Sequence, residues 1–422
     1  MVQACTIGRT GRRYGRDMTP RRQADPAVGE RVRARRLLRG WSIRYAASRA
    51  GVSHATWSRI ERGLQGADNR FMLADLAGAL DCTLADLAGT GVPAPDRATS
   101  AAQAGVLGLR RALVDIDLSE PPSRPAPPLA ELRRTNALAD ALYRACDYAG
   151  AARVYTDLLR DLHTETAGPD HAEALRLLCE ATSNAATVLR NLGHPPDAWL
   201  AAERCRDAAE AAGDPVLRGH AAYAMARSAL ACGSAQRGQT IAERAVNDLG
   251  GHLSRPGAPE ILGSLQLVAA LASHARGRLD DSRDWLAEAA ALALRTGETD
   301  TMGMFFGPTN VNIWQMSIEA GDGDPIRVVE IAGRTDPSAI EAGVRQVFYY
   351  ADTARALIRL GGRDREAIRF LLTAERIAPQ HVRTSADLAT AVRILLERSN
   401  RRAGGTALRG LSERMSVLTM AR

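Results

Sequence analysis

AGVSHATWSRIERG, residues 50–63, sets a glycine and a capping serine between two short segments patterned for helix. Gly51 permits the left-handed backbone of a tight turn, Val52 plugs the angle between the flanking helices, and Ser53 offers its hydroxyl as an N-cap. The pattern predicts a helix from about His54 to Arg62, ended by Gly63. On it Trp57, Ile60 and then Leu64 fall inward, while His54, Ala55, Ser58, Arg59 and Arg62 fall outward. That outward set is what a helix needs to lie in a major groove and offer donors to base edges and phosphates.

Upstream, VGERVRARRLL (28–38) puts Val28, Val32 and Leu37 near one helical face, and Gly40 can close that helix. Ser42 is the next N-cap, with Trp41 before it as a staple, and a second short helix runs from Ile43 to Ala50. Small Ala47 allows this helix and the next to approach closely.

Charge singles out the same region. Residues 1–90 hold 16 arginines against eight acids, and residues 91–422 hold 39 against 40, so the whole net charge of +7 lies in the first fifth of the chain. A concentrated positive field beside a neutral remainder points to a polyanion-binding module. All 55 basic residues are arginine. The absence of lysine excludes a phosphate-binding P-loop, a kinase-type lysine and a pyridoxal Schiff base.

Here the sequence resembles the Cro/C1 (XRE) family of helix-turn-helix regulators, over about residues 27–90. The likeness continues through FMLADLAGALDCTLADLAG (71–89), which matches the family's fourth and fifth helices, with Thr83 capping the last. The resemblance implies that Glu61 pairs with Arg36 to hold the fold. It also implies base contacts at His54, Ala55 and Arg59, and phosphate or sugar contacts at Ser42, Arg44, Thr56, Ser58 and Arg62; Ser53 is grouped with these. Ile43 departs from the family, many of whose members carry a DNA-contacting glutamine there.

Residues 1–26, with Arg9, Arg12, Arg13, Arg16, Arg21 and Arg22, read as a disordered basic arm able to follow the minor groove, or as sequence ahead of a true start at Met18. Residues 91–128 read as a proline-rich linker holding a short helix over about 101–115. Beyond Leu129 small or apolar residues recur just after turns, at Ala151, Ala198, Gly238, Ser282, Ile326 and Ala367. A period near 43 residues, built from helix pairs, indicates an α-solenoid over 129–400, with 401–422 as a tail or capping helix. Tyr143, Ala151, Tyr155 and Leu158, and later Ala367, Leu371, Ala374 and Pro379, resemble diverged, lengthened tetratricopeptide (TPR) repeats. The whole chain resembles Cro/C1–TPR regulators of actinobacterial type; some TPR regulators of this plan are peptide receptors. Counting back from the turns puts Asn184 and Asn312 at equivalent inner-helix positions, where a carboxamide can pair with a peptide backbone.

The expected protein is therefore all-α: a five-helix DNA-binding domain followed by a TPR-like solenoid. It is expected to act as a homodimer on double-stranded DNA, with the repeats sensing a peptide, a small molecule or a protein partner. The alternative is a TPR adaptor with a secondary DNA tether. No catalytic constellation, cofactor motif or metal-ligand spacing is found, and the six cysteines are dispersed. No apolar run reaches the ~18 residues that span a bilayer, so a cytoplasmic protein without a membrane partner is expected.

Overall fold

The computed structural model describes residues 26–39, 41–65, 70–80, 87, 97–321, 323–399, 406–415 and 417. They form α-helices, two short 3-10 turns and connecting loops, with no strand among the described residues. The chain divides into two compact units, Met1–Ala94 and Pro95–Arg422.

In the first unit α1 (Pro26–Leu38), α2 (Ile43–Arg49), α3 (His54–Glu61) and α4 (Arg70–Ala79) surround a core of Val32, Ala46, Ala47, Trp57, Ile60, Leu76 and Leu80, joined by Leu87. Gly29 sits where α1 crosses α3; a Cβ there would overlap the Ile60 carbonyl. Gly51 adopts φ +66°, and the Val52 amide donates to the Ala47 carbonyl at 3.0 Å, closing α2 before α3 begins. Two residues assigned inward from the sequence are instead exposed: Leu37 at 56% and Leu64 at 66%. Leu64 follows the left-handed Gly63 (φ +66°), so it has left the helical register on which its inward position was counted. Leu37 lies five residues, about 500° of helix, from buried Val32, which turns it away from the core. The arm and the fifth helix with Thr83 fall outside the described residues.

The second unit opens with α5 (Arg97–Asp115) and continues in hairpins. They are α6 (Leu129–Arg144) with α7 (Tyr148–Glu165), α8 (His171–Asn191) with α9 (Pro195–Ala212), and α10 (Pro215–Ala231) with α11 (Ala235–Gly250). Then come α12 (Ala258–Ala275) with α13 (Leu279–Thr296), α14 (Pro308–Ala320) with α15 (Pro325–Gly333), and α16 (Gly343–Leu360) with α17 (Asp364–Ile377). Three shorter helices, α18 (Pro379–Thr384), α19 (Ala386–Ser399) and α20 (Thr406–Arg414), complete the described part. The last packs Leu408 and Leu411 into the core and binds Glu375 through Arg414 at 2.6 Å.

One turn is reused from hairpin to hairpin. Gly193, Gly233 and Gly277 take φ of +83°, +81° and +74°, and the amide after each donates to a carbonyl five residues back at 2.9 Å. The first hairpin makes the same turn with Cys146, at φ +61°. Five residues past the left-handed position the chain is small and buried, at Ala151, Ala198, Gly238 and Ser282, and Ala367 follows Gly362 (φ +75°) by the same interval. At one of these sites the paired helix passes close by: a Cβ on Gly238 would lie 3.0 Å from the Ala226 carbonyl. Ile326 does not fit: it is 55% exposed, and Val328, fully buried, holds the corresponding place. Val328 lies three residues past the first residue of α15, as Ala151, Ala198, Gly238, Ser282 and Ala367 do in their own helices, so a count from Gly321 stops two residues short.

The segment read as linker also belongs in part to this unit. Val106, Leu109 and Leu113 of α5, with Ile116 just past its end, form a stripe of 0–1% exposure packed into the repeat core. Arg110 forks onto Asp197 at 2.6 and 2.7 Å, and Arg204 donates to the Leu113 carbonyl at 2.9 Å. The prolines that suggested a spacer lie in the coil between α5 and α6.

Candidate functional site

Two surfaces carry chemistry. In the second unit, α6, α8, α10, α14 and α16 line one pocket, together with residues 303–305. Asn184 is in its wall, with its amide 3.5 Å from Asp140. Asn312 is not; Asn310 and Trp314 are the α14 residues that line it. Moving the count forward by the same two residues puts Trp314 at the place given to Asn312, and two residues turn a helix by about 200°. Asn310 is 2% exposed, donating to the Met304 carbonyl and accepting from Arg345 Nε at 2.9 Å. Arg190, Arg227 and Arg345 share the pocket, and its lining contains no carboxylate. Arg227 and Arg345 stand 4.6 and 5.6 Å from the Trp314 ring. Burial, reinforced by Arg227, pulls the Arg190 and Arg345 guanidiniums down to about 10.

In the first unit α3 is fixed from behind. Trp57 is fully buried, and its indole N–H donates to Glu61 at 2.6 Å. Arg36, on α1, forks onto the same carboxylate at 2.6 and 2.8 Å and also donates to the Trp41 carbonyl at 2.7 Å. The Glu61 hydrogen bond holds the Arg36 guanidinium above its ordinary value. With that side anchored, the other is presented: His54, Ala55, Arg59 and Arg62 are exposed, and Thr56 and Ser58 are half-buried. Ser53 caps the helix, accepting from the Thr56 amide at 3.0 Å and lying 2.8 Å from its hydroxyl. Ser42 does the same for α2 through the Tyr45 amide at 3.2 Å, beside exposed Arg44.

Residues 27–88 match the family model described as a helix-turn-helix domain. They are a helix-turn-helix domain. Among solved structures the chain is similar to PlcR of Bacillus thuringiensis in complex with the peptide PapR7 and DNA. That match has a TM-score of 0.38 and 10% identity, covering 84% of this chain and 99% of that one. It is also similar to a Rap protein complexed with competence and sporulation factor, at a TM-score of 0.48 and 14% identity over 92% and 96% of the two chains. A third is the apo competence regulator ComR of Streptococcus vestibularis, at a TM-score of 0.22 and 12% identity over 66% and 95%. No curated protein matches.

Within the helix-turn-helix domain, the residues expected at DNA occupy the N-terminal ends of α2 and α3 and the outer face of α3. Sequence reasoning did not single out Tyr45, which is 50% exposed and meets Trp41 edge-on at 5.1 Å. Nor did it single out Arg49, 5.0 Å over that ring. Outside the domain it missed Arg190, Arg227 and Arg345. Their only signal was an arginine on an inner helix near a turn, which arginine-rich repeats supply many times over. Among the described residues no His/Cys/Asp/Glu group could hold a metal, and no helix is long and apolar enough to cross a membrane.

Proposed function

We propose that the chain is a sequence-specific transcriptional regulator that binds double-stranded DNA through α3, acts as a homodimer on an inverted repeat, and senses a peptide effector through the repeat unit. The observation that carries this reading is the two-sidedness of α3. Its inner face is locked by Trp57, Ile60 and the Arg36–Glu61 pair, and its outer face offers His54, Ala55 and Arg59 to solvent. Among the described residues neither Arg44 nor Arg59 has an ion-pair partner, so both guanidiniums are available to DNA. A guanidinium can bond both major-groove acceptors of a guanine, which makes Arg59 the specificity residue. Arg62, whose Nε donates to the Ser58 carbonyl at 3.2 Å, is the phosphate-directed one. One such helix reads a half-site, and two half-sites lie about 34 Å apart, which is the reason for a dimer.

The test is selection of preferred sequences from a random pool, followed by titration of variants on the selected and on random DNA. Arg59→Ala should cost roughly 1–3 kcal/mol on the selected site and relax preference at one position. Arg62→Ala should weaken binding to all sequences alike. Equal losses on both DNAs for Arg59→Ala refute its role, and a pool without enrichment refutes the function.

A further inference from the structure

The second helices of two successive hairpins, α9 and α11, each pack against α10, and the three enclose an open cavity of about 240 Å³. Its floor is aliphatic: Ala209, Ala221, Met225, Ala245 and Leu249 are buried there, and Ile241 is half-buried. Among the lining residues the His252 imidazole is the one ring, so the floor offers nothing to stack on. Nor does it offer a free hydroxyl, because Thr240 Oγ1 donates to the Gln236 carbonyl at 3.0 Å. Such a surface suits a saturated chain and not a base, a sugar or an aryl ring.

Guanidiniums stand around this floor. Arg206 is paired, with Glu203 at 2.6 Å, Asp207 at 3.0 Å and Glu210 at 3.6 Å. Arg218, Arg237 and Arg244 are exposed, and among the described residues their side chains have neither an ion pair nor a hydrogen bond. The reasons are local. Asp214, one turn before Arg218, caps α10 through the Val216 amide at 2.7 Å and faces Arg255 at 3.6 Å. Arg237 has no acid one turn away in either direction on α11. Arg244 has Asp248 one turn on, yet no ion pair joins them. Three guanidiniums against the one unpaired carboxylate of Asp248 leave an excess of two positive charges at the rim. Two close approaches fix the register of α10 on α11: a Cβ on Gly219 would lie 3.1 Å from Leu249 Cδ2, and one on Gly238 3.0 Å from the Ala226 carbonyl. Halfway between them Arg244 is level with Ala222, so it stands at the middle of the apolar floor.

We propose that this cavity binds an aliphatic carboxylate, a second ligand of the repeat unit besides the peptide effector. The chain lies on the floor and the carboxylate sits on Arg244, flanked by Arg218 and Arg237. A guanidinium fork matches the two oxygens of a carboxylate, and apolar surface taken out of water holds the chain. One water takes about 10–15 Å³ of such space, so the cavity has room for a chain of about ten carbons and its head group.

The experiment uses the full chain without DNA and follows calorimetric titration with decanoate, kept below its micellar concentration. Decanol keeps the chain without the charge, acetate keeps the charge without the chain, and decyl phosphate changes the head group. Decanoate should bind at one site per chain, at least about tenfold more tightly than decanol, and acetate should not bind. Arg244→Gln should weaken decanoate about tenfold and leave decanol unchanged. Because Arg244 has no partner to lose, the ligand-free variant should melt at the wild-type midpoint. Ala222→Phe, which fills the space level with Arg244, should weaken both chains. The site is overturned if decanoate does not bind, if decanol matches it, or if either substitution leaves the decanoate affinity unchanged. Decyl phosphate binding more tightly than decanoate overturns the assignment to a carboxylate.

Discussion

Truncating Glu61 to alanine should open the helix-turn-helix domain while the repeat unit stays folded. The Glu61 carboxylate accepts both arms of the Arg36 fork, at 2.6 and 2.8 Å, and the Trp57 indole N–H at 2.6 Å, with Arg36 and Glu61 only 7% and 8% exposed. Removing one partner of a buried pair costs about 3–5 kcal/mol, because the other charge is left without compensation. A stranded indole N–H adds about 1–3 kcal/mol on its own, but both losses stem from one carboxylate and do not sum. About 4 kcal/mol is the working figure, close to the whole stability of a small domain. Hydrogen exchange on the full chain reads this directly. Amides of α1–α3 should lose protection by a factor on the order of 1,000, and those of α8 should not change. The double variant Arg36→Met, Glu61→Leu should lie nearer wild type than either single change, since an apolar replacement leaves no buried charge. Glu61→Ala amides within about fivefold of wild type, a difference of about 1 kcal/mol, would refute the reasoning.

The two-residue slip at 321–324 can be tested by a pair of substitutions. Ile326→Asp should change stability by less than about 0.5 kcal/mol, and Val328→Asp should unfold the hairpin, as read by circular dichroism on heating. Gly263→Ala would drive a Cβ into the buried Phe306 ring and should cost about 1–3 kcal/mol; an unchanged melting midpoint rejects that contact. His220 is 1% exposed, neither ring nitrogen has a partner, and burial pushes it down to about 4. Between about pH 6.5 and 4 the unfolded chain therefore takes a proton that the folded one refuses. Stability should fall as pH drops through that window, by up to about 3 kcal/mol, and His220→Leu should flatten the dependence in denaturant titrations.

The readable parts of the sequence were those set by local rules. Gly51, Gly63, Ser42 and Ser53 act within a few residues of themselves, so the limits of α2 and α3 followed from them. The hairpin period was visible because small residues recur where two helices cross. Long-range matters were hidden. The stripe Val106–Leu109–Leu113–Ile116 was masked by the prolines beside it, although its spacing alone describes a buried helix face. The pocket arginines come from three helices spread over more than 150 residues, between Arg190 and Arg345. Asn312 shows how thin the margin is, since a slip of two residues carried the reading from the pocket wall to another face.

The reused turn has a practical consequence. Cys146 takes the left-handed place in the first hairpin, 2% exposed and with its thiol pushed up to about 11 by burial. Cys232, one position earlier in the third hairpin's turn, is exposed. The two thiols thus form a matched pair for timing with an alkylating reagent. Cys232 modifies at the speed of its own chemistry, and Cys146 waits until the first turn comes apart. The ratio of the two rates is a clock for local opening at the head of the array, readable from one sample by mass spectrometry.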